Sequence, residues 1–307
     1  MRIVALAGAA LLVGLLILAL WLYAPDKPRQ ALEAAYFGRR ADYVDVAGLR
    51  LHFRDEGRRD APAIVLLHGF GSSLITWDGW AARLKADYRV VRFDLPGFGL
   101  TGPDPTGDYS DERAVTVIRA LLERLGIAHA TICGNSLGGK IAWLFAVEQP
   151  AMVDKLVLVS PDGFASPGFA YGKTPDVPFV LRLLPYVLPR AMLKGSLVPA
   201  YGDPARLGED TVTRYRDMML APGVRGAILA RTGQVMLRNP EPLLRQITAP
   251  TLILWGEKDG MIPFSNAADY ARDIPNARLV ALPELGHVPF EEAPEQSLAP
   301  VLQFLAE

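Results

Sequence analysis

Three residues of this chain have the types and surroundings for nucleophilic chemistry, and they occur in the order Ser136, Asp259, His287. A serine hydroxyl is a poor nucleophile at neutral pH. It needs an imidazole to take its proton and a carboxylate to fix that imidazole's tautomer. Ser136 sits in Gly134-Asn135-Ser136-Leu137-Gly138-Gly139, directly after the apolar run Ala130 to Cys133 and before the helical run Lys140 to Val147. A serine on a sharp strand-to-helix turn has backbone close on both sides, so glycines two positions before and after it are what such a turn requires. Asp259 ends Trp255-Gly256-Glu257-Lys258-Asp259, and His287 lies in Gly286-His287-Val288-Pro289, after Pro283-Glu284-Leu285. Each motif follows a short apolar run, the place where open α/β sheets carry their sites.

Upstream, His68-Gly69-Phe70-Gly71-Ser72 closes the run Ala63 to Leu67. Glycines after a strand let backbone N–H groups turn into a site and hold a developing oxyanion. The expected donors are the N–H of Phe70 and that of Leu137, the residue after the serine. His68 reads as a prop for this loop, not as the base. Asp94 to Gly99 reads as a turn bordering the pocket, Cys133 as a small buried hydrophobe, and His52 and His129 as surface or strand residues.

The elements that must position these residues follow from composition and periodicity. The chain has 307 residues, 50% apolar and 21% charged, the profile of a folded globular protein. Thirty-two Lys and Arg against thirty-three Asp and Glu leave a formal charge of -1, so no basic field exists to hold nucleic acid. A single cysteine closes no intramolecular disulfide, and no Cys/His cluster has metal-ligand spacing, so no disulfide scaffold or metal site is expected, and chemistry by a Ser, His and Asp set needs no cofactor. Ile3 to Tyr23 contains no charged residue. As a helix of about 21 residues it would span about 31 Å, roughly a bilayer core. Residues 1–24 are therefore expected to be an uncleaved single-pass anchor, with Trp21 and Tyr23 at the interface. The run exceeds a usual signal-peptide core, and no clear A-x-A site precedes Pro25. The amino terminus is expected in the cytoplasm and the main domain outside, with residues 25–41 as a polar linker.

Beyond the linker, strands alternate with helices. Tyr43 to Val46 and Leu49 to Arg54 flank Ala47-Gly48 as a hairpin. Ala63 to Leu67, Arg89 to Phe93, Ala130 to Cys133, Lys155 to Val159, Thr251 to Trp255 and Arg278 to Ala281 fit strands buried on both faces. Asp111 to Leu125 shows helical spacing with Gly126 as its stop. The expected fold is α/β, a mostly parallel sheet with helices on both faces, formed by residues 42–160 and 248–307. Residues 161–247 break the alternation: six prolines interrupt the first half, and 209–220 and 224–237 look helical. They are expected to form a helical cap, with Phe179, Val180, Leu183, Tyr186, Met192, Met218 and Met219 lining an apolar pocket.

From about Val46 to Leu305 the chain resembles the α/β-hydrolase superfamily. The His-Gly loop, the Asp94-Leu95-Pro96-Gly97-Phe98-Gly99 loop, the serine elbow, the Gly-x-x-Asp acid loop and the Gly-His loop occur in family order. The Gly134-Asn135-Ser136 elbow with a helical cap looks like that of carboxylesterases, small lipases and meta-cleavage-product hydrolases. Haloalkane dehalogenases and related epoxide hydrolases carry Asp as nucleophile, and Ser136 argues against both. The His68-Gly69-Phe70-Gly71 loop departs from the Ser-Gly-Pro-Gly style loop of carbon–carbon hydrolases, which favours an esterase. The resemblance implies a serine hydrolase acting on a small apolar carboxylic ester through an acyl-enzyme. Ser136 would be its nucleophile, His287 its base, Asp259 its acid, and Phe70 and Leu137 its oxyanion hole. A carbon–carbon hydrolase with the same triad is the alternative, and a non-catalytic binding protein the third reading. Asp162, in Pro161-Asp162-Gly163, occupies the place where some superfamily members carry their acid. Asp259 is favoured because Gly256 and Gly260 flank it in the family's acid loop, whereas Pro-Asp-Gly makes a turn on its own.

Overall fold

Short runs rich in Val, Ile and Leu, too brief for helices, pair edge to edge here into one eight-stranded sheet. The computed structural model describes residues 6, 12–14, 16–17, 20–38, 41–165, 170–174 and 177–307. The strands are β1 (Asp42–Val46), β2 (Leu49–Glu56), β3 (Ala63–Leu67), β4 (Arg89–Phe93), β5 (Ala130–Asn135), β6 (Val153–Val159), β7 (Thr251–Gly256) and β8 (Ala277–Leu282). Their order is β1-β2-β4-β3-β5-β6-β7-β8. β1 and β2 pair antiparallel, β2 pairs antiparallel with β4, and every pairing from β4 through β8 is parallel. Ala47 and Gly48 turn the hairpin with φ of 49° and 75°, the double left-handed turn whose twist matches that of the strands.

The helices are α1 (Arg29–Phe37), α2 (Asp78–Leu84), α3 (Asp111–Arg124), α4 (Leu137–Glu148), α5 (Arg190–Leu197), α6 (Glu209–Met219), α7 (Val224–Thr232), α8 (Glu241–Leu244), α9 (Asn266–Asp273), α10 (Pro289–Glu292) and α11 (Pro294–Ala306). Alternate residues of the central strands feed two apolar clusters. Val65, Leu67, Ile132, Leu158 and Ile253 pack with α3 and α4, while Ile64, Leu66, Cys133, Val157 and Leu252 pack with α2 and α11. Both faces are thus covered, which is why these strands carry no polar alternation.

Between β6 and β7 the described residues form α5 to α8 and short 3₁₀ turns, with one isolated bridge from Val187 back to Tyr23. Two expectations for this region are corrected. The helix expected over 224–237 ends at Thr232, with Gly233 as its cap. The seven residues expected to line one pocket do not do so: Phe179, Val180, Leu183, Tyr186 and Met192 are exposed, whereas Met218 is buried in the core and Met219 is partly buried against it. Pro178, Pro185 and Pro189 remove the N–H groups that a helix would need. The segment therefore makes only the turn Phe179–Leu183, and its Leu184 and Leu188 pack inward while the expected pocket residues do not.

The polar linker is also corrected, because α1 is a docked helix. Leu32 is buried in the core, and Lys27 Nζ and Tyr36 Oη reach opposite oxygens of Asp217 on α6, at 2.7 and 3.0 Å. Its polar residues face the cap and not only water. The expected membrane span at Ile3 to Tyr23 lies in large part outside the described residues. Of those described there, 6, 12–14, 16–17 and 20–22 are helical, and their large apolar side chains are exposed apart from half-buried Leu22. Among the described residues no helix is long and apolar enough to cross a membrane.

Candidate active site

Ser136 occupies the single residue between β5 and α4, with φ 53° and ψ -120°. Non-glycine residues seldom hold positive φ, and such strain persists only where surrounding structure over-determines it. Here three backbone bonds do so: Ser136 donates to the carbonyl of Val159 at 3.1 Å, and its own carbonyl accepts from Lys140 at 2.9 Å and Asp162 at 3.0 Å. The flanking glycines are steric requirements. A Cβ on Gly134 would lie 2.1 Å from the Gly138 carbonyl oxygen, and one on Gly138 would lie 2.3 Å from that of Leu67. Gly138→Ala should therefore push the elbow off β3 and cost about 3 kcal/mol or more, the upper range for overpacking. Thermal denaturation checks this, and an unchanged midpoint would refute the steric account.

Asp259 and His287 follow the neighbouring strands β7 and β8. Asp259 Oδ2 lies 2.7 Å from His287 Nδ1, with both side chains buried. The other carboxylate oxygen accepts the N–H groups of Met261 and Ile262 at 2.8 and 2.9 Å, which locks the carboxylate's orientation. With a carboxylate as acceptor, Nδ1 carries the proton and Nε2 is the basic nitrogen. Ser136 is linked to this pair through its neighbour. Asn135 Nδ2 donates to the carbonyl of Val159 at 3.0 Å and to that of His287 at 2.9 Å, tying the histidine loop to the elbow. Sequence reading passed over that role. The only local signal is a carboxamide immediately before the serine, and its partner lies more than a hundred residues away.

The structure separates the two aspartates. Asp162 binds the elbow through its backbone, and its carbonyl accepts from Trp143 Nε1 at 3.2 Å and Tyr270 Oη at 2.8 Å. Among the described residues its carboxyl makes no hydrogen bond to His287. Burial raises its pKa above the ordinary carboxylate value, offset only in part by Lys140.

In the loop after β3, both nitrogens of His68 are engaged. Nδ1–H donates to the Gly69 carbonyl at 2.8 Å, and Nε2 accepts the Leu95 N–H at 2.9 Å, so His68 is a neutral prop. Burial, the largest influence, holds its pKa below the ordinary value. Unfolding therefore takes up a proton once pH falls beneath about 6.5, so this stabilisation is present above that pH and lost as pH drops. The melting temperatures of the parent chain and His68→Gln should differ most near about pH 7 and converge toward about pH 5. A constant difference would mean that His68 protonates without cost. Among the described residues, neither the Phe70 N–H nor the Leu137 N–H is taken up by a protein acceptor.

The Asp94 turn is an anchor. Asp94 accepts from Leu74 and Leu100 N–H and pairs with His52 Nδ1, each at 2.7 Å. Burial opposes ionisation of Asp94, but His52 and these donors outweigh it and keep its pKa below the ordinary value. His52 is accordingly a fully buried strand residue and not a surface one, whereas His129 is exposed beside Asp154. Burial pushes the Cys133 thiol pKa up, consistent with an inert packing role. Among the described residues no group of three or more His, Cys, Asp or Glu could hold a metal ion.

An eight-stranded, mostly parallel sheet with an elbow serine and a helical insertion defines a class of protein. The model of the alpha/beta hydrolase family matches residues 64–301, and the chain belongs to that family. It is similar to an uncharacterized protein of Mycobacterium tuberculosis, 33% identical over 284 residues, 85% of this chain and 79% of that protein. It is also similar to a 2-hydroxy-6-oxononadienedioate/2-hydroxy-6-oxononatrienedioate hydrolase of Pseudomonas putida, 31% identical over 273 residues, 84% of this chain and 92% of that one. Among solved structures, a membrane phospholipase A described as a bacterial virulence factor matches with a TM-score of 0.72 and 24% identity, covering 100% of this chain and 98% of that one. That last likeness concerns the fold alone.

Proposed function

We propose that the protein is a serine hydrolase that cleaves carboxylic esters of small apolar molecules through an acyl-enzyme. One observation carries the reading: the buried 2.7 Å hydrogen bond from His287 to Asp259, on a loop tied by Asn135 to the serine elbow. In the proposed cycle Ser136 Oγ attacks the ester carbonyl while His287 Nε2 takes its proton. The imidazolium, stabilised by Asp259, returns that proton to the departing alcohol. Water then enters, gives a proton to His287 Nε2 and attacks the acyl carbonyl, and the imidazolium returns that proton to Ser136 Oγ as the carboxylic acid leaves. The N–H groups of Phe70 and Leu137 would hold the oxyanion in both halves, charge stabilisation that operates only at the transition state. No cofactor is required.

A carbon–carbon hydrolase is the second reading, favoured by the 31% identical Pseudomonas putida relative. The dienedioates in that relative's name are dianions, which a cation near the serine would help to hold. Lys140, the one cation on α4, is already paired with Asp111 at 2.7 Å, and buried Arg231 lies 3.9 Å from the same carboxylate, an arrangement that favours the neutral ester. Rates on p-nitrophenyl esters of graded chain length, beside a ring-cleavage dienoate, decide between them. Faster turnover of the dienoate would move the assignment to carbon–carbon cleavage. Failure of a fluorophosphonate to label Ser136 would favour a binding protein.

The same proposal tethers the domain to a membrane through the charge-free run Ile3 to Tyr23, with the catalytic domain outside the cytoplasm. A reporter fused at Glu307 that works only in the cytoplasm would reverse that orientation.

A further inference from the structure

We propose that the outer face of the cap from Phe179 to Met192 docks on a phospholipid bilayer, and that the site draws its ester from that surface. This rests on the ester-hydrolase reading and names the source of its substrate. Phe179, Val180, Leu181, Leu183, Tyr186 and Met192 are all exposed, from 40% for Leu181 to 75% for Phe179. Single exposed apolar side chains are ordinary, but six in one short segment form a patch that marks a binding surface.

The composition points to lipid. Residues 177–198 contain Arg182, Arg190 and Lys194 and no Asp or Glu. Glu209 on α6 pairs with Arg190 and Lys194, at 2.6 and 2.5 Å, so one carboxylate faces two of the three cations and the patch stays cationic. Aromatic and aliphatic anchors among cations suit the boundary of an anionic bilayer.

The patch is also continuous with the charge-free amino-terminal run. Ala24 N–H donates to the Tyr186 carbonyl at 2.8 Å, Tyr23 bridges to Val187, and Leu20, Trp21 and Tyr23 beside them are exposed. A chain that enters a bilayer at this point brings the cap face down with it. From there the path to the chemistry is short. α5 leads into 198–200, where the Pro199 carbonyl accepts from Gly260 at 3.0 Å and the Ala200 carbonyl from His287 at 2.8 Å. Phe70 and Met261, from the oxyanion and acid loops, are exposed as well.

The test uses the full chain in vesicles of phosphatidylethanolamine and phosphatidylglycerol. Cys133 is buried, so a polarity-sensitive fluorophore can be placed at Phe179→Cys, or at Arg58→Cys before the amino-terminal end of β3 as control. Doxyl-labelled lipid should quench the label at 179 and leave that at 58 unchanged. In the double variant Phe179→Asp, Leu183→Asp, turnover of p-nitrophenyl dodecanoate partitioned into the vesicles should fall about tenfold. Turnover of dissolved p-nitrophenyl butyrate should stay as in the parent. Equal quenching at both positions, or unchanged vesicle turnover in the variant, overturns the proposal. So does cross-linking of 179 to a second copy of the chain without lipid quenching. Quenching at 179 in a parent chain that hydrolyses neither ester would keep the docking face and overturn the ester reading.

Discussion

Ser136→Ala should abolish turnover by about 10⁶-fold, equivalent to about 8 kcal/mol of lost transition-state stabilisation, while the protein stays folded. The size follows from removing the atom that forms the acyl bond: without Oγ, the oxyanion donors and binding alone remain to assist water. The fold should tolerate the change because alanine has the same steric restriction at φ 53° as serine. The three bonds that hold the elbow are all made by backbone atoms. The measurement is kcat on a p-nitrophenyl ester with a homogeneous preparation, together with circular dichroism. Retention of more than a few per cent of activity would sink the nucleophile assignment.

Asp259→Asn should cost about 10⁴-fold in kcat, and Asp162→Asn less than about tenfold. A carboxamide at 259 can present its N–H₂ to His287 Nδ1, which drives the proton to Nε2 and leaves no lone pair facing the serine. It also removes the charge that stabilises the imidazolium. Asp162 carries neither burden, because its contacts to the elbow and to Tyr270 run through its backbone. Burial raises its pKa above the ordinary carboxylate value, and among the described residues its carboxyl makes no hydrogen bond to His287, so the amide should change little. One good ester measured with both variants decides the matter. A larger loss at 162 than at 259 would move the acid to β6.

The three candidate residues were legible in the sequence because each announces itself locally. Gly134 and Gly138 are demanded by contacts of 2.1 and 2.3 Å that any elbow of this kind creates, so the pattern survives as letters. The strands were legible for a similar reason, since burial on both faces writes continuous Val, Ile and Leu. Features whose partners lie far along the chain were not legible. Lys27 and Tyr36 look like linker residues until Asp217 is brought to them, and His52 reads as either a surface or a strand residue until Asp94 closes over it.

What the sequence determined by itself was the class of fold, the strand–helix alternation, the break that makes the cap and the order Ser136, Asp259, His287. Short-range sterics and hydrophobic periodicity are enough for those. Tertiary structure decided which carboxylate meets the imidazole, because Asp162 and Asp259 stand at the ends of adjacent strands β6 and β7 and differ only in where their side chains and backbone are led. It also decided that Asn135 joins the serine elbow to the histidine loop, and that Phe179, Val180, Leu183, Tyr186 and Met192 face outward and not into a pocket. Each of these depends on how distant segments approach in space, and one residue's chemistry carries no record of its distant neighbour.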